Sequence, residues 1–106
     1  MSKITNDQIK TCATIFGLCY TAMGKNNTAD ISNAQRFPLR GITLYIRELN
    51  QRHLTTPELE KKIGKLMDTL PMELMENHFE DCLTLEQQGV WLMAFHSTTN
   101  EYFSSL

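Results

Sequence analysis

The stretch TNDQIKTCATIFGLCYTAMG, Thr5 to Gly24, decides the fold. It opens with Thr5 and, three residues on, Gln8, the capping-box form in which each side chain satisfies a backbone amide left unpaired at a helix start. Ile9, Cys12, Ala13, Phe16, Cys19, Tyr20 and Met23 then recur at the spacing of one helical face. Ile15, Leu18 and Ala22 widen that stripe. A helix apolar over so much of its circumference belongs at the centre of a domain, touched from several sides. Gly24 is a natural stop, because glycine enters the left-handed conformation without a Cβ clash.

Working outward, residues 24–33 read as a polar loop, with a short turn around Ser32 to Arg36. Pro38 then opens a helix at its first turn, with Leu39, Ile42, Leu44, Tyr45 and Leu49 as its apolar stripe. That helix frays at Asn50 to His53. Thr55 and Thr56 precede Pro57 and Glu58, a cap, early-proline and acidic-first-turn combination that starts another helix, buried through Leu59, Ile63, Leu66 and Met67. Pro71 ends it or begins a short helix carrying Met72, Leu74, Met75 and Phe79. Thr84 with Gln87 repeats the capping box ahead of Val90, Trp91, Met93, Ala94 and Phe95, which are expected to pack inward, Tyr102 and Phe103 closing the end. Strand alternation, hairpin dipeptides and internal repeats are absent from the sequence. The expectation is an all-α fold, a small helical bundle of about five helices, with residues 1–106 as a single helical domain.

Composition agrees. A length of 106 residues supports one core, and 42% hydrophobic with 21% charged residues is unlike a disordered chain. The longest apolar run, Gly89 to Phe95, is too short to cross a bilayer, and the polar N-terminus does not read as a signal peptide, so a cytoplasmic location is expected. The three cysteines, Cys12, Cys19 and Cys82, form no C-x-x-C pair and read as buried packing thiols. Met23, Met67, Met72, Met75 and Met93 are assigned to core filling.

Chemistry is the weakest theme in the sequence. His53, His78 and His96 are scattered, and no phosphate loop, nucleophile elbow or H-E-x-x-H occurs, so no enzyme is expected. His78 and Cys82, four apart near Glu76 and Asp81, fall short of the four ligands of a structural zinc site; no metal or cofactor is assigned. Charge is the strongest theme. The net −2 conceals a basic segment, 36–65, at +4 and an acidic one, 66–106, at −7 without a single Lys or Arg. Arg36, Arg40 and Arg47 are placed on one face of the Pro38 helix, with Arg52 beyond; Lys61, Lys62 and Lys65 sit on the next. A hairpin of the two helices would make a basic edge suited to a phosphate backbone. The alternative is a solvated face whose charge Glu48 and Glu58 partly pair.

Three segments carry a resemblance: AQRFPLRG (Ala34 to Gly41), KIGKLMD (Lys62 to Asp68) and TLEQQGVWLMAFH (Thr84 to His96). They resemble the C-terminal helical region of the large subunit of the type I-C CRISPR surveillance complex (Cascade), which is also made as a separate small subunit. The resemblance implies a non-catalytic accessory subunit in antiviral defence. It would stack with neighbouring subunits or with itself and hold guide RNA–target DNA, or the displaced single strand, by backbone contacts, while the guide supplies specificity. The acidic residues Glu73, Glu76, Glu80, Asp81 and Glu86 would then dock on a basic neighbour. Two other readings use the same residues: a phage-encoded inhibitor whose acidic third mimics DNA or a complex subunit, and a helical protein–protein adaptor.

Overall fold

The computed structural model describes residues 4–24 and 31–104. Among them the chain forms six helices and no strand: α1 (Asn6–Met23), α2 (Ile31–Arg36), α3 (Pro38–Gln51), α4 (Pro57–Met67), α5 (Met72–Asn77) and α6 (Leu85–Ser104). The fold is all-α.

The local start signals act as expected. At α1, Gln8 N donates to Thr5 Oγ1 (3.2 Å) while Thr5 N donates to Gln8 Oε1 (2.9 Å), the two halves of a capping box. Thr84 and Gln87 make the same pair ahead of α6, at 3.2 and 2.9 Å. Leu59 N donates to the side chain of Thr56 at the start of α4 (3.2 Å), and Pro38 and Pro57 occupy the first turns of α3 and α4. Gly24 ends α1 with φ +62°.

α1 is the centre of the fold. It packs most extensively on α6, then on α3, and also carries α4; α2 leans on α3 and α6. Ile9, Cys12, Ala13, Ile15, Phe16 and Cys19 are buried along it. Phe16 joins the three long helices, its ring centroid 4.7 Å from Tyr45 of α3, 5.4 Å from Trp91 and 5.8 Å from Phe95 of α6. Trp91 and Phe95 stack at 5.2 Å. Trp91 is fully buried, and its indole Nε1 has no hydrogen-bond partner among the described residues.

Two glycines mark close approaches. A Cβ at Gly17 would lie 3.0 Å from Thr98 Cγ2, which lets α1 and α6 draw together. At Gly41 a Cβ would come within 2.8 Å of Ala34 Cβ and 2.9 Å of Ala34 Cα, so α2 rests on the backbone of α3. From there Leu83 N donates to the carbonyl of Arg36 (2.8 Å), satisfying a group at the end of α2 and tying the segment before α6 to it.

Several expectations are corrected. Helix formation resumes at Ile31, inside the stretch read as loop; residues 25–30 of that loop lie outside the described residues. Arg36 belongs to α2 and not to the Pro38 helix. The proline ring disfavours a helical residue before it, and Phe37 (φ −122°, ψ 77°) breaks the two apart. Leu44 (45% exposed), Met72 (75%) and Met93 (76%) are not core residues, because no neighbouring helix covers those sides of α3, α5 and α6. Cys82 is exposed, whereas Cys12 and Cys19 are buried as expected. The short helix expected after Pro71 forms as α5, and the sixth helix is the short α2, where only a turn was expected. α3 and α4 form no tight hairpin: each packs on α1 without extensive contact with the other. The expected closure by Tyr102 and Phe103 falls outside the described side chains. No described helix is long and apolar enough to cross a membrane.

Candidate nucleic-acid interface

The seven cations of the basic segment fall into three groups set by the helices that carry them. Arg36 ends α2, and Arg40 lies in the first turn of α3, both beside the segment that precedes α6. Arg40 Nη1 reaches Glu80 Oε2 at 3.4 Å, with the Glu80 side chain largely in solvent and that of Arg40 about half exposed. An ion pair so exposed is worth about 0–1 kcal/mol, so a phosphate can compete for the guanidinium.

Arg47 projects from α3 two turns further on and is exposed. Arg52, which caps α3, bonds Glu48 Oε1 through Nη2 at 2.8 Å, one turn back. Arg47, Glu48, Gln51 and Arg52 rim a shallow depression together with Leu44. Leu44, itself exposed, adds an apolar group to that lining.

Lys61, Lys62 and Lys65 are exposed on α4. Lys62 and Lys65 face a groove that they share with Thr14 and Leu18 of α1 and with Thr98 and Glu101 of α6. The structure therefore brings together Arg47 with Arg52 and Lys62 with Lys65, and leaves Arg36 and Arg40 on different helices beside the segment that precedes α6. Two of the seven, Arg40 and Arg52, already hold carboxylates.

The acidic residues form their own surface. Glu73 and Glu76 lie on α5, Glu80 and Asp81 in the turn after it, and Glu86 in the first turn of α6, where the helix dipole favours a negative charge. All five are exposed. Within this region His78 Nδ1 meets Asp81 Oδ2 at 2.5 Å. Cys82 Sγ donates to the carbonyl of Leu83 at 3.7 Å. Among the described residues no group of three or more His, Cys, Asp or Glu is arranged to hold a metal ion.

Burial pushes the thiols of Cys12 and Cys19 up to about 12 from an ordinary 9.0 by stripping them of water. Both remain protonated near neutrality and act as packing groups, not nucleophiles.

Sequence reasoning passed over Lys10, Met93 and Glu101. Lys10 and Glu101 stood outside the basic segment, and Met93 was counted in an inward stripe. In the structure all three line one depression between α1 and α6.

No family model, curated protein or solved structure matches the chain. The described residues define it as a small all-α bundle whose exposed cations lie in three groups on α2, α3 and α4 and whose exposed carboxylates cluster around α5.

Proposed function

We propose that the chain is a non-catalytic accessory subunit of an RNA-guided CRISPR surveillance complex. In this reading it holds the nucleic-acid backbone through Arg36, Arg40, Arg47, Arg52, Lys61, Lys62 and Lys65 and meets neighbouring subunits through its acidic face. One observation carries the nucleic-acid part. Arg36, Arg47, Lys61, Lys62 and Lys65 are exposed and have no carboxylate at ion-pair distance among the described residues. Cations held in this way bind phosphate by releasing its counterions, with no need for base recognition. In a guided complex, base pairing with the guide reads the sequence, and the protein supplies charge and shape. The resemblance of the segments around Lys62 and Thr84 supports the choice of complex.

The test is fluorescence anisotropy with a labelled single strand. Wild-type protein is expected to bind at low salt, and Arg40→Ala/Arg47→Ala to bind several-fold more weakly with an unchanged circular dichroism spectrum. Absence of binding by the folded wild type would remove the proposal.

A second reading rests on the five exposed carboxylates of residues 73–86, which suit a basic channel in a target complex. On that reading the chain is a phage-encoded inhibitor. It would bind an assembled surveillance complex and block DNA entry, and it would bind no DNA by itself.

A further inference from the structure

α1 is covered by α6, α3 and α4, yet α4 and α6 make no extensive contact with each other. Among the described residues one flank of α1 is therefore left open between them. Three depressions adjoin there: the first shares Leu18 and Lys62 with the second, and the second shares Thr14, Thr98 and Glu101 with the third. Together they make one groove following α1 from Lys10 to Ala22. At 1.5 Å per residue, that run is about 18 Å, or three to four helical turns.

The lining is amphipathic and polarised across its width. Thr14 and Leu18 form the floor. The α4 wall presents Leu66 between Lys62 and Lys65, and the α6 wall presents Met93 and Ala94 with Glu101 at the end. Glu58 lies at the Ala22 end and Lys10 at the other. Met93 stands 76% exposed above this surface, a large flexible thioether with no role in the core.

From this geometry we infer that the groove docks an amphipathic helix of a partner protein, with carboxylates on the flank that faces α4. A channel walled by two helices and floored by a third matches a rod whose apolar side chains recur every three to four residues. Charge complementarity selects the partner's flank along the Lys62–Lys65 stretch: these lysines line one wall and Glu101 the other, so acidic residues facing them are favoured, while Glu58 of the same α4 wall favours a neutral or basic residue at the Ala22 end. Met93 supplies an adaptable apolar contact of the kind used where partners vary. The inference shares Lys62 and Lys65 with the nucleic-acid reading, which retains Arg36, Arg40, Arg47, Arg52 and Lys61 when a helix fills the groove.

The experiment uses isotope-labelled full-length chain and two synthetic helical peptides of about four turns. Both carry leucines at i, i+4, i+7 and i+11; one bears glutamates along a flank and the other lysines. The acidic peptide is expected to shift amide resonances of Thr14, Leu18, Lys62, Leu66, Ala94 and Thr98, and the basic peptide to bind more weakly. Met93→Glu should reduce affinity for the acidic peptide about tenfold, the scale of 1.4 kcal/mol. Lys62→Glu/Lys65→Glu should reverse the preference between the peptides, with the circular dichroism of both variants unchanged. Equal binding of the two peptides by wild-type protein, shifts at residues outside the groove, or no shift at all would overturn the inference. So would concentration-dependent broadening of the groove residues in the protein alone, which would assign the groove to a second copy.

Discussion

Replacing Gly41 with Ala adds one methyl group where α2 meets α3. The new Cβ would sit 2.8 Å from Ala34 Cβ and 2.9 Å from Ala34 Cα, closer than carbon atoms approach without movement. The Cα belongs to the backbone, so no side-chain rotation relieves the clash and α2 must shift. Overpacking of this kind costs about 1–3 kcal/mol. Alanine recovers up to about 1 kcal/mol through its higher helix propensity. The balance is a loss of up to about 2 kcal/mol, which lowers the melting temperature by up to about 15 °C in a domain of this size. Gly64→Ala is the matched control. It lies inside α4 with nothing within 4 Å of its would-be Cβ, so only the propensity gain remains. It should raise stability by about 0.5–1 kcal/mol. Thermal unfolding followed by circular dichroism reads both variants. Opposite signs support the packing of α2 on α3; equal stabilisation by the two substitutions would falsify it.

Other consequences are open to direct measurement. Native protein should react with a thiol reagent at Cys82 alone, while Cys12 and Cys19 join only after denaturation, because the first is exposed and the other two are buried. Folded Cys12 and Cys19 keep their protons up to about 12, whereas the unfolded thiols release them near 9.0. The unfolded state therefore binds fewer protons above that point, and stability should fall as pH rises from about 9 to 12. A denaturation midpoint that stays level across this window would contradict the burial. Thr84→Ala removes half of the α6 capping box and should lower stability by about 1 kcal/mol in urea titrations, with the slope of the transition unchanged. Trp91 emission should be blue-shifted and resistant to acrylamide, moving to the red only on unfolding, because the indole is fully buried.

Helix starts were legible because they are local. Thr5 with Gln8, Thr56 with Pro57, and Thr84 with Gln87 each place the cap and its partner within one turn, and the structure forms all three. The centrality of α1 was legible from an apolar stripe wider than one neighbour can cover. Where two helices come to lie depends on contacts distant in sequence. Nothing around Gly41 announces that Ala34 rests against it, and nothing in α3 or α4 says that each would choose α1 over the other. Met93 shows the same limit from another side: its spacing fits the α6 stripe, but that part of the stripe faces the open groove. The cations could be identified one by one, while their grouping followed from the helix arrangement. The pairing of Arg40 with Glu80, forty residues away, had no local signal.

The salt dependence of binding to a single strand tests the functional account most directly. Five exposed cations without carboxylate partners among the described residues should give a slope of log K against log salt of about −3 to −4 if each meets a phosphate, at roughly −0.7 per contact. Arg40→Ala/Arg47→Ala removes one of these five, Arg47, and should flatten that slope by about 0.7, or by about 1.4 where a phosphate also takes Arg40 from Glu80. A slope near zero, or one that the substitutions leave unchanged, would show that these side chains are a solvated surface and not a site for nucleic acid.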